Sequence, residues 1–133
     1  MSQRILVVED NPPNRELLCD WLESEEFEVR TAENLDQAYA AVRDQMPHAI
    51  LLDVKLGSED GLVLAEWIRH EPSLQHLPII AVTAHAMVSD HTRVIEAGCN
   101  ACISKPIDFK LLSQQLALWL AYGAKLQSTS CTP

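Results

Sequence analysis

Four short apolar runs, Ile5-Leu6-Val7-Val8, Ala49-Ile50-Leu51-Leu52, Ile79-Ile80-Ala81-Val82 and Ala101-Cys102-Ile103, recur along the chain with segments of helical period between them. Turn-forming residues bound each run, so the pattern predicts βα units closing a parallel sheet. Strands are expected at about residues 4–9, 27–31, 49–53, 79–83 and 101–104.

The intervening helices announce themselves by caps and stripes. The first should begin near Pro13, because a proline at the first helical position gives up no intrahelical bond; Leu17, Leu18, Trp21 and Leu22 would face inward. A second, Asp36 to Asp44, places Ala38, Ala41 and Val42 inside, with Asn34 or Asp36 as its cap. The third, Leu62 to Arg69, buries Leu64, Ala65 and Ile68. A fourth, Ser89 to Ala97, ends at Gly98 in the position of a left-handed cap. The fifth follows Asp108 and carries Phe109, Leu112, Leu116, Trp119 and Leu120.

A chain of 133 residues, 47% apolar and 22% charged, is enough for one core. One domain over 3–121 is expected, with 122–133 as a flexible C-terminal tail. A formal net charge of −9 opposes binding to a phosphate backbone or an anionic lipid surface. No apolar stretch reaches the roughly 18 residues that a membrane span needs, and Met1-Ser2-Gln3-Arg4 does not read as a secretory signal. Cys19, Cys99, Cys102 and Cys131 show no secreted-type framework, which with the rest predicts a cytoplasmic protein.

The chemistry lies where the runs end. Glu9 and Asp10 close the first, Asp53 the second and Thr83 the third, and the last leads through Ser104 into Lys105-Pro106. In an open parallel sheet these ends share one edge, where ligands bind. Crowded carboxylates repel one another unless a proton or cation intervenes, and hard oxygens suit Mg²⁺. With a lysine and a hydroxyl added, the set predicts a phosphoryl-transfer centre with Asp53 as nucleophile.

These residues resemble the receiver domains of two-component response regulators, over about residues 3 to 121. Glu9-Asp10 looks like that family's acidic pair, Asp53 its phospho-acceptor, Thr83-Ala84 its switch hydroxyl and small neighbour, and Lys105-Pro106 its lysine and cis proline. Val8-Glu9-Asp10-Asn11, Ala81-Val82-Thr83-Ala84-His85-Ala86-Met87 and Cys102-Ile103-Ser104-Lys105-Pro106-Ile107 look most like single-domain cell-cycle regulators and the receivers of hybrid kinases. The resemblance implies a flavodoxin-like (βα)5 three-layer sandwich with sheet order 2-1-3-4-5. It implies that Asp10, Asp53 and the Lys55 backbone carbonyl hold Mg²⁺ directly and Glu9 through water. It further implies that a histidine kinase or histidine phosphotransfer protein supplies the phosphoryl group, that Thr83 and Lys105 bind it, and that a changed surface engages a downstream protein. No catalysis is implied beyond the domain's own phosphorylation and dephosphorylation.

The chain also departs from that pattern. Cys102 stands where the family has an aromatic that turns inward, so a muted or rerouted conformational change is expected. Gly57 and Glu59 replace a usual proline and apolar residue, predicting a more flexible loop after Asp53. His85 is placed to modulate water access.

Blander readings exist for each residue: Asp53 as a turn former, Thr83 as a β-branched strand residue, Lys105 as a surface charge. Cys99-Asn100-Ala101-Cys102 has redox or zinc spacing but leads into a strand, whereas a redox pair opens a helix. The five histidines lack the i, i+4 spacing of a helical metal site. Trp21, Trp67 and Trp119 are expected as packing anchors; Leu111, Leu118 and Tyr122 could mark a homodimer or partner face. Among other functions, an aspartate-nucleophile phosphatase would need an acid where Lys55 stands. A flavin carrier would need a Ser/Thr/Gly-rich loop where Asp10-Asn11-Pro12-Pro13-Asn14 stands. The remaining alternative is a phosphorylation-independent interaction module.

Overall fold

The computed structural model describes residues 3–84 and 88–130, apart from the side chains of 88–90 and 125–130. The elements in chain order are β1 (Arg4–Val8), α1 (Pro12–Ser24), β2 (Glu28–Ala32), α2 (Leu35–Asp44), β3 (Ala49–Asp53), β4 (Lys55–Leu56), β5 (Glu59–Asp60), α3 (Leu62–His70), a 3₁₀ turn (Pro72–Leu74), β6 (Ile79–Thr83), α4 (Val88–Glu96), β7 (Ala101–Ser104) and α5 (Phe109–Ser130). Five strands form one sheet in the order β2-β1-β3-β6-β7, with every pairing parallel. In terms of the five long strands this is the expected 2-1-3-4-5.

Because side chains alternate across a strand, the sheet feeds two cores. Leu6, Val8, Ile50, Leu52, Ile79 and Ala81 pack with α2 and α3, joined by Val94 of α4. Ile5, Val7, Leu51, Ile80 and Ile103 pack with Leu18 and Leu22 of α1 and Leu112, Leu116 and Leu120 of α5. Two helical layers therefore cover a sheet buried on both faces, which explains the unbroken apolar runs.

Of the two expected candidates Asn34 caps α2, accepting from the Gln37 amide; α1 begins at Pro12, one residue before the expected Pro13, capped by Asn11, which the sequence reading had not singled out and which accepts from the Asn14 amide. Gly98 follows α4 at φ +111, where a Cβ would also lie 2.4 Å from Cγ of Arg69. Arg69 fills that space: its guanidinium donates to the carbonyls of Gly98 and Gln75 and to Oδ1 of Asn100, tying α3 to the turn before β7.

One expectation is corrected. Leu17 is 54% exposed, because it lies about 100° round the helix from Leu18 and outside the stripe that Leu18 and Leu22 define. The α5 backbone is helical as far as Ser130, and Gly123 is buried where a Cβ would meet Pro78 at 2.8 Å. His85 lies outside the described residues. Among those described, no helix is long and apolar enough to cross a membrane.

Candidate functional site

The parallel register brings the strand ends together. Asp53 on β3 stands opposite Val82 of β6, and Thr83 at the end of β6 stands opposite Ser104 of β7. Glu9, one residue beyond β1, is held by its amide to the Ala32 carbonyl at 3.0 Å. The Lys105 amide donates to the Thr83 carbonyl at 2.8 Å, so lysine and threonine leave the sheet side by side. The peptide between Lys105 and Pro106 is cis, as the resemblance implied.

Three polar residues here are nearly inaccessible: Glu9 is 2% exposed, Thr83 5% and Asp53 7%. Burial of two acids demands compensation. Lys105 supplies it, with Nζ at 3.0 Å from Oδ2 of Asp53 and 3.1 Å from Oε1 of Glu9. The Lys55 amide donates to Oδ1 of Asp53 at 3.2 Å, and the Asn11 amide to Oε2 of Glu9 at 3.3 Å. Arg15 donates to the Glu9 carbonyl at 3.1 Å and pairs with Glu33.

Compensation is incomplete. The Glu9 carboxyl is pushed up to about 7, by burial first and then by its contact with Asp53, while Lys105 and the Asn11 amide pull it down. Burial alone would lower the Lys105 ammonium, but Asp53 and Glu9 outweigh it and raise its pKa. A cluster that leaves a glutamate half protonated near neutrality calls for a further positive charge. Glu9, Asp10 and Asp53 can each offer one oxygen within 4.8 Å of the others. That hard-oxygen donor set fits a divalent cation.

Beyond Asp53 a cleft of about 550 Å³ opens, lined by Asp53, Thr83 and Lys105 together with Lys55, Asp60 and Arg93. Its rim differs from expectation. The loop predicted to be flexible forms an antiparallel hairpin, β4 with β5, turning at Gly57 with φ +60. Oε1 of Glu59 accepts from the Leu35 amide of α2, and Asp60 pairs with Arg93 of α4.

Three contributors escaped the sequence reading. Gly61 is needed for close approach, since a Cβ there would lie 2.2 Å from the Asp53 carbonyl oxygen. Asp60 and Arg93 meet from 33 residues apart. The dipeptide Asp60-Gly61 before an apolar stripe was the only local signal; nothing local marks Arg93. The other expected residues fall elsewhere. Cys99 is buried and its thiol is pushed up to about 12, mainly by burial, which makes it inert. Cys102 packs partly buried against the core. Trp21 packs on Phe109 and Trp67 on Tyr39, as anchors do.

Residues 5–117 match the response regulator receiver domain family. The polar-differentiation response regulator DivK of Brucella ovis is 40% identical over 108 residues, which cover 80% of this chain and 87% of that protein. Among solved structures, a CheY-like receiver domain protein from Methanospirillum hungatei superposes with a TM-score of 0.84 at 26% identity, covering 94% of this chain and 98% of that one. The receiver domain of a signal transduction histidine kinase from Syntrophus aciditrophicus gives 0.83 at 28% identity, covering 90% and 91%. These relatives agree with the likeness to cell-cycle regulators and kinase-attached receivers read from the motifs.

Proposed function

Since the chain belongs to the response regulator receiver domain family, we propose that it is a switch of a two-component phosphorelay that accepts a phosphoryl group on Asp53. A receiver domain is a signalling component and not a classical enzyme. The observation that carries the assignment is the Lys105 ammonium at 3.0 Å from Asp53 at the sheet edge, in a nearly buried acidic cluster that opens onto a cleft.

The donor is a phosphohistidine of a histidine kinase or histidine phosphotransfer protein. An Asp53 carboxylate oxygen forms the new O–P bond as the donor's N–P bond breaks; the electron pair returns to the imidazole. Lys105 turns from carboxylate partner to phosphoryl partner, since its ammonium already faces the acceptor oxygen. The Thr83 hydroxyl is the neutral donor to the same group, and burial around Asp53 and Glu9 restricts water that would hydrolyse the acyl phosphate.

The family's acidic cluster takes a divalent metal ion, and Mg²⁺ suits this one. Asp10, Asp53 and the Lys55 carbonyl would hold it, with Glu9 acting through water. When bound it neutralises charge between acceptor and phosphoryl oxygens. The excess of acidic residues supports a protein partner rather than nucleic acid, and the protein works in the cytoplasm without a membrane contact. Leu111, Leu118 and Tyr122, all exposed on α5, offer a face for a second copy or a downstream protein. The phosphorylation-independent alternative is not favoured, because the full charged set is in place.

The test is intact mass after acetyl phosphate and Mg²⁺, under conditions that preserve acyl phosphates. One phosphoryl adduct is expected, absent with chelator and absent in Asp53→Asn. Stoichiometric labelling of Asp53→Asn would overturn the site, and no labelling of folded protein would favour the phosphorylation-independent module.

A further inference from the structure

The cleft beyond Asp53 has a further cation in its lining. Arg93 of α4 lines it together with Asp53, Thr83 and Lys105, and its guanidinium is engaged by Oδ2 of Asp60 on the hairpin. The same Asp60 carboxylate uses Oδ1 to accept the Leu62 amide at 3.0 Å, in the first turn of α3. One aspartate thus joins the start of α3 to α4, and one arginine connects that junction to the cleft. Both side chains are substantially exposed, so neither is locked by packing.

An exposed ion pair of this kind contributes little to stability. A phosphoryl group brings about two negative charges and three acceptor oxygens, and the planar guanidinium matches such oxygens in pairs. In a shared cleft the dianion is therefore the stronger competitor for Arg93. Lys105 already serves Glu9 and Asp53, and a metal ion held by the acids reaches the phosphoryl group from their side, so its other oxygens have room for a further cation. Lys55, the third cation on the wall, belongs to no ion pair among the described residues, so its movement would release no helix contact.

We propose that Arg93 is a second phosphoryl-binding residue and the contact that carries the signal to α4. Held by Asp60 before phosphorylation, it leaves that carboxylate for the phosphoryl oxygens afterwards. Val94, its neighbour, is buried in the core, so α4 stays seated while the arginine swings, and what changes is the charged surface where α3 and α4 meet. The exchange also frees Asp60 at the start of α3. This step rests on Asp53 as acceptor, and it gives the domain a route to its surface that needs no aromatic at Cys102.

The test uses beryllofluoride with saturating Mg²⁺ as the phosphoryl mimic, its affinity read by fluorine NMR of the bound state. Arg93→Gln should bind on the order of tenfold more weakly, the size of one charge-assisted hydrogen bond. Asp60→Asn, which keeps an oxygen for the Leu62 amide, should bind a few-fold more tightly because Arg93 is released. The double variant should bind no more tightly than Arg93→Gln alone. Wild-type affinity in Arg93→Gln, or an Asp60→Asn gain that persists without Arg93, overturns the exchange while leaving Asp53 as acceptor. No binding by the wild type overturns both.

Discussion

At the scale of single residues, the site is an electrostatic balance that one lysine holds. Lys105 faces two buried carboxylates, and burial, followed by the contact with Asp53, pushes Glu9 up to about 7. Replacing it with Met removes the cation and leaves both acids buried without a charged partner. In metal-free buffer near pH 8, Lys105→Met should lose roughly 1–3 kcal/mol of stability in denaturant melts. The loss should shrink when Glu9→Gln is added, because one of the stranded charges is gone. A second residue sets a pH response away from the site. His48 accepts the Arg4 amide through Nδ1 at 2.8 Å, so it must be neutral on that nitrogen, and burial followed by the Arg4 charge lowers its pKa from 6.5. The unfolded chain then binds the proton more readily than the folded one. The stability contribution is therefore full above about pH 6.5 and declines as pH falls below it. The slope of stability between about pH 7 and 5 should be smaller in His48→Gln, and an unchanged slope would remove His48 from the account.

At the scale of elements, the hairpin between β3 and α3 ties Asp53 to its neighbours. Gly61 returns the chain so closely over Asp53 that even one methyl group collides with the Asp53 carbonyl. Its φ of −58 is ordinary, so the requirement is for space and not for backbone freedom. Gly61→Ala must move either the hairpin or Asp53, at a cost of about 1–3 kcal/mol for overpacking. Phosphoryl uptake from acetyl phosphate should slow together with the fall in melting temperature; wild-type uptake in a destabilised protein would separate the loop from the acceptor. The cores behave more simply. Leu112 of α5 is fully buried, and Leu112→Ala should lower stability by about 2–5 kcal/mol, read in the same melts.

For the whole molecule, the acidic cluster couples metal binding to folding. A cation that binds the folded chain and not the unfolded one stabilises by mass action, about 2.7 kcal/mol at one hundred times Kd. Added Mg²⁺ should raise the melting temperature of the wild type in a saturable way, and Asp10→Asn should blunt that rise. An equal rise in the variant would assign the effect to general screening of the net −9 charge.

Local pattern alone determined the five strands and five helices and the edge at which Glu9, Asp10, Asp53, Thr83 and Lys105 gather, while the order of the strands in the sheet came from the family resemblance. Apolar runs and caps are short-range signals, and strand ends in a parallel sheet must share an edge. The family motifs were legible for the same reason, each lying within a few residues of a strand end. Tertiary structure alone decided how the charges are shared. Lys105 reaches Glu9 across 96 residues and Arg93 reaches Asp60 across 33, pairings that depend on where packed helices place long side chains. Leu17 missed the core because one residue of helix turns a side chain through about 100°, which a list of apolar positions does not resolve. The β4–β5 hairpin was placed likewise, by contacts with Leu35 and Arg93 that lie far away in sequence. A carboxyl near pKa 7 follows from burial and a neighbouring acid, and both exist only once the sheet has formed.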